Sequence, residues 1–340
     1  MKIKKVSVFS LLLSLTLIIT LFSGCKKATT NTLVTVKLNE VVRSIFYAPM
    51  YAAISEGYFK EEGITIDLST GQGADKTMQQ VLSKAVDIGF AGPEQVIYIY
   101  NQKREDFPVI FAQLTQKDGA FLVSRKAETN FKWESLKGKT IIGGRPAGVP
   151  EMALEYVLKN HGLKPGVDVN IITNLAFTAT SGAFKAGTGD YVTLFEPSAS
   201  MLQKDNSVYN VASIGASAGT MPYTCFFATK SYIEKNPQIV QKFTNAIYKG
   251  QKWVSTHSDA EVIASIKSYF PGADEAALTS SIKNYRDINA FASNPVLKSD
   301  DLTKLMDIIQ SYKADLIPTR PAFNVIVNNT FGENAVKTIK

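Results

Sequence analysis

Histidine and cysteine are almost absent: the 340-residue chain has two of each. The histidines, His161 in "KNHGLK" and His257 in "STHSDA", stand far apart at expected helix ends. No cysteine pair or cluster accompanies them, which argues against a zinc site and a Ser-His-Asp device. No disulfide framework is expected, and Cys225 in "CFFAT" reads as a small core residue. No basic tract extends beyond Lys26 and Lys27, so nucleic-acid binding has no support. A phosphate loop is missing too. "GQGADKT" places Asp75, which would repel phosphate, directly before Lys76, and "GKT" at 138–140 leads into an expected strand.

One long apolar run is present. Lys2, Lys4 and Lys5 precede Val6 to Phe22, and Ser23, Gly24 and Cys25 follow. This is the pattern of an export signal, with a run of about 17 residues, short for a spanning helix. "LFSGC" resembles the lipobox of bacterial lipoproteins, with Phe22 where an aliphatic residue is usual. The expectation is a signal peptide over 1–24, a lipid-bearing Cys25 and a polar tether over 25–32. Such a chain is anchored at the extracytoplasmic face of the cell membrane. Losing residues 1–24 removes three lysines and no acids, taking the formal charge from +7 to +4.

From Leu33 to about Thr229, ten strand-like runs alternate with segments of helical length, and the class is α/β with mostly parallel sheets. The runs are 33–38, 64–68, 86–90, 109–113, 120–124, 139–143, 169–173, 191–195, 210–214 and 225–229. The last third reads as helical. Asn236 and Pro237 open a helix carrying Ile239, Phe243 and Ile247; Ser258 and Glu261 form a capping box; Ser299 opens a third helix. These helices are expected to cover one sheet.

Four turns follow strands and feed helix N-termini, where α/β folds gather ligands. They are "STGQGADKT", "AGPEQV", "GGRPAGVPEM" and "EPSAS". "SKAVDIGFAGPE" and "KAGTGDYVTLFEP" echo each other and suggest two similarly built lobes. Ahead of these, "SIFYAPMY" crowds Phe46, Tyr47 and Tyr51 around a helix start, in a place where a solvent loop would be polar.

"FYAPMYAAISEGYFKEEGITIDL", "GQGADKT", "VLSKAVDIGFAGPE", "SLKGKTIIGGRPAG" and "GDYVTLFEP" together resemble, in order and spacing, the solute-binding proteins of ABC importers. The branch is the one that includes sulfonate, nitrate and thiamine-pyrimidine binders. The resemblance implies the two-lobed periplasmic-binding-protein fold (type II), with the ligand cleft between lobes. Lobe 1 would comprise 33–115 plus 229–340 and lobe 2 would comprise 116–228, the chain crossing near 115 and 228. It implies a monomer that captures a small molecule by hinge closure and delivers it to a permease and its ATPase, with no catalysis, cofactor or metal; a sensor whose binding lobe signals to a partner is the alternative that the lipid tether and the lack of a fused signalling domain disfavour.

The same resemblance implies a lining of Phe46, Tyr47, Tyr51, Gln72, Gly73, Pro93, Glu94, Gln113, Arg145, Ala147, Gly148, Phe195 and Glu196. Two glutamates beside aromatics suit a flat nitrogen heterocycle, such as a thiamine pyrimidine precursor or a flavin-like ring. Arg145 and the helix N-termini suit a sulfonate or nitrate instead. Each residue also has a plain structural explanation: an acid in a first helical turn complements the dipole, Arg145 can pair with a carboxylate, and Tyr98 and Tyr100 can pack in the core. The pyrimidine synthases of the thiamine pathway share the resemblance, but their cysteine-rich signature is absent here.

Overall fold

A computed structural model describes residues 33–204 and 208–340. The signal, Cys25 and the tether lie outside the described residues. All ten expected strands form. The first sheet contains β1 (Val34–Glu40), β2 (Ile64–Thr70), β3 (Ile88–Ala91) and β4 (Pro108–Thr115). The second contains β5 (Ala120–Ser124), β6 (Thr140–Ile142), β7 (Asn170–Ile172), β8 (Tyr191–Phe195) and β9 (Tyr209–Ser213), and β10 (Thr224–Thr229) returns to the first.

The strand orders are β2-β1-β3-β10-β4 and β7-β6-β8-β5-β9. The sheets are mixed, a correction to the mostly parallel expectation. β10 runs antiparallel to β3 and β4, and β5 runs antiparallel to β8 and β9. Each sheet contains one strand that arrives by crossing from the other, and a crossing strand enters against the local direction. Every residue of β4 and β10 is buried, which requires cover on both faces.

The outward crossing occupies 116–119, near the expected 115. The return is complete before Thr224, not near 228, because the apolar run "TCFFAT" pairs with β3 and β4. The two crossing segments touch: the Met221 and Tyr223 amides donate to the Gln116 and Thr115 carbonyls at 3.0 and 3.1 Å. A Cβ on Gly215 would lie 2.0 Å from the Asp118 carbonyl oxygen, so the approach needs glycine there.

The helix Pro237–Thr256 buries Val240, Phe243, Ile247 and Val254, so two residues of the expected stripe are in the core while Ile239 is half-buried and Val240 takes its place. The Ser258–Glu261 capping box is complete in the helix Asp259–Ile266. The C-terminal helices do not cover one sheet alone. Glu275–Asp287 packs on Ser198–Gln203 from the second sheet's side and on Ile45–Tyr47 from the first. Ser299–Tyr312 reaches both Val149–Asn160 and Glu94–Asn101. Among the described residues no helix is long and apolar enough to cross a membrane.

Candidate functional site

A cavity of about 320 Å³ opens between the carboxyl ends of the two sheets. From the first sheet's side it is lined by Val41, Val42, Ser44, Tyr47, Gln72 to Lys76, Gly92 and Glu94. From the second it is lined by Gly143 to Arg145, Gly148, Leu175 to Phe177, Thr193 and Phe195, with Tyr223 from the return crossing.

Of the thirteen expected residues, Tyr47, Gln72, Gly73, Glu94, Arg145, Gly148 and Phe195 line this cavity. Six do not. Phe46 is 1% exposed and packs beneath the lining, its ring 4.8, 5.5 and 5.9 Å from those of Tyr285, Tyr223 and Phe195. Tyr51 is buried, stacked 4.6 Å from Tyr269, and its hydroxyl donates to Glu40 at 2.5 Å. Pro93 only precedes the helix Glu94–Asn101. Gln113 faces the first sheet's own core, donating to the Val296 carbonyl at 3.0 Å. Ala147 offers its carbonyl to the Tyr98 hydroxyl at 3.0 Å, so Tyr98 joins the two sides and is not simply core.

Glu196 is the largest correction. It is 1% exposed and accepts from the Ser200 amide (2.8 Å), the Ser200 hydroxyl (2.9 Å), Asn284 (2.6 Å) and Ser281 (3.3 Å). Every direction of its carboxylate is already answered by this chain. The sequence reading also missed Val41, Val42, Phe177 and Tyr223. The valines follow β1, and Phe177 sits 5.6 Å from Phe195, in a segment with no strand or glycine signal.

Glu94 is the reverse of Glu196. It is 2% exposed, and its Oε1 accepts only from Gln95 Nε2 at 3.1 Å, while Oε2 has no partner. Burial pushes its proton affinity up, and the Gln95 bond and the Arg145 charge only partly oppose this. A Cβ on Gly92 would fall 1.9 Å from that free oxygen, so the carboxyl folds into space that only glycine leaves open.

Three helices that start at the cavity carry an acid in the first turn, Asp75, Glu94 and Glu151, while the helix Thr180–Lys185, whose Thr180 also lines the cavity, carries none. Asp75 complements the positive end of its helix, whereas burial raises the pKa of Glu94 and Glu151 and favours their neutral forms. Glu151 is fully buried behind Gly143, accepts from the Gly144 amide at 2.8 Å, and is raised to about 8 by burial. Arg145 Nη2 lies 3.5 Å from Asp75 Oδ1, a charge pair without a hydrogen bond, and that nitrogen has no hydrogen-bond partner among the described residues.

Residues 45–261 match the family model described as NMT1/THI5 like. The chain belongs to the NMT1/THI5-like family. It is 42% identical over 92% of its length, and 92% of the relative's, to the putative binding protein YtlA of Bacillus subtilis. It is 26% identical to a 4-amino-5-hydroxymethyl-2-methylpyrimidine phosphate synthase of Saccharomyces cerevisiae, over 73% of this chain and 74% of that one. The formylaminopyrimidine-binding protein of Halalkalibacterium halodurans is 24% identical over 62% of this chain and 63% of its own. The solved structure of the alkanesulfonate-binding protein SsuA from Xanthomonas axonopodis pv. citri, bound to MOPS, superposes with a TM-score of 0.71 at 16% identity, covering 87% of this chain and 99% of that one. This NMT1/THI5-like chain therefore has the periplasmic-binding-protein fold.

Proposed function

We propose that this NMT1/THI5-like protein is the solute-binding component of an ABC importer. Tethered through Cys25 at the extracytoplasmic face, it captures a small flat aromatic nitrogen heterocycle by hinge closure and passes it to a permease. A thiamine pyrimidine precursor fits this description best. The observation that carries the reading is Glu94, a buried acceptor on the cavity wall with one oxygen unanswered, in a cavity also lined by the rings of Tyr47, Phe195 and Tyr223. A ring that donates N–H to the carboxylate and stacks on these aromatics answers both features. The cavity volume suits one or two fused rings. The pyrimidine named in the Halalkalibacterium relative supports the same class.

A sulfonate is the second reading, favoured by Arg145 and by the bound sulfonate of the Xanthomonas structure. Asp75, which stands beside Arg145 and in the first turn of its own helix, weighs against it. Thermal shift of the purified protein against aminopyrimidines, flavins, alkanesulfonates and nitrate tests the choice, since a ligand at a hundred times its Kd adds about 2.7 kcal/mol. Stabilisation by an alkanesulfonate and by no heterocycle overturns it. Turnover of a bound pyrimidine would move the protein to the enzyme class.

A further inference from the structure

The two sides of the cavity end in lips built alike. On the first, Gln72 (φ 64°) precedes Gly73 and the helix Ala74–Leu82; on the second, Ala147 (φ 60°) precedes Gly148 and the helix Val149–Asn160. Left-handed backbone at a non-glycine residue costs on the order of 1 kcal/mol or more, and it persists where surrounding structure holds it. Here that backbone presents Asp75 from one lip to Arg145 from the other, 3.5 Å apart. The second lip is fixed to its own side by the Glu151 bond to the Gly144 amide, and to the opposite side by the Tyr98 hydroxyl on the Ala147 carbonyl. Ser44, whose hydroxyl donates to the Glu196 carbonyl at 2.7 Å, makes a further bond between the sides, deeper in the cleft.

We propose that Asp75 and Arg145 form a clasp between the lips, so that Arg145 is a positioning residue that sets how long the cleft stays shut. The inference rests on the cavity being the solute site. The pair is 50% and 39% exposed, so it biases an equilibrium between open and shut forms and does not lock one. Salt would weaken it by screening.

Small-angle X-ray scattering of the purified chain without added ligand tests the clasp, comparing the native protein with Asp75→Asn, Arg145→Gln, the double neutral variant and the exchanged pair Asp75→Arg/Arg145→Asp. Each single change is expected to raise the open-to-shut ratio about two- to five-fold. The double neutral variant should match the singles, and the exchanged pair should return toward native. Raising salt to about 1 M should open the native chain and leave the neutral variants unmoved. Unchanged scattering in the singles, additive effects in the double, or salt insensitivity of the native chain overturns the proposal. The salt series needs no variant to fold. Because no ligand is present, a failed clasp leaves the solute-binding reading standing, and a failed ligand panel leaves the clasp standing.

Discussion

Glu94 and Glu196 follow matching strands in the two sheets, in the echoed segments "FAGPE" and "LFEP", yet they do opposite work. Glu94 is the first residue of its helix, and its carboxyl turns back over Gly92 toward the cavity. Glu196 lies two residues ahead of the helix Ser198–Gln203, within reach of the Ser200 amide, and it also ties that helix to Glu275–Asp287. Both are buried acids, and burial raises the pKa of each. The difference is the number of donors around them. A carboxylate surrounded by the protein's own donors stabilises the fold, and one left short of donors is available to a solute.

The sharpest way to break this comparison is Glu196→Ala. It orphans the Ser200 amide and Asn284 in a buried place and is expected to cost about 2–4 kcal/mol, read as a fall in the urea midpoint. Glu94→Gln removes a carboxyl whose one side-chain hydrogen bond is from Gln95, so stability should change by less than about 1 kcal/mol while the thermal shift from an aminopyrimidine is lost. Equal loss of stability in the two variants would show that the two acids do not differ in role.

Proton linkage extends the comparison to the other buried acids. Glu40 and Asp118 are raised to about 7 and Glu151 to about 8, in each case chiefly by desolvation. Above its ordinary value near 4 to 4.5, each group binds more protons folded than unfolded, so stability should fall as pH rises from about 4.5 to about 8. Each group contributes at most about 1.4 kcal/mol per pH unit between its unfolded and folded values, so urea midpoints at pH 5, 6.5 and 8 should decrease in that order. A midpoint that rises over this range would mean the acids are ionised and paired in the fold. The smallest effect expected is Gly92→Ala, which displaces a flexible carboxyl at a stability cost of about 0.5 kcal/mol, and its mark should be weaker heterocycle binding. Gly215→Ala meets backbone instead and should cost several times more.

The ten strands were legible because β-branched and aromatic runs bounded by turns are a local signal. So were the Ser258–Glu261 box and three of the four turns, those at Gln72, Gly92 and Arg145, which line the cavity, while "EPSAS" contributes no lining residue. The site was half legible. "SIFYAPMY" announced an aromatic cluster, but one ring of its three, Tyr47, reaches the cavity, while Phe46 and Tyr51 fill the core beneath. Side-chain direction over a single helical turn is set by what packs there, and Tyr285, Tyr269 and Phe270 come from residues more than 200 positions away.

By itself the sequence determined which segments are strands, where helices begin, and that the chain has two similar α/β halves, since propensity, turn chemistry and capping act over a few residues. Only the tertiary structure decided that β10 returns to the first sheet, that Glu196 is consumed while Glu94 is not, and that Asp75 meets Arg145. Hydrogen-bond satisfaction depends on donors brought together from distant parts of the chain, and no local pattern counts them.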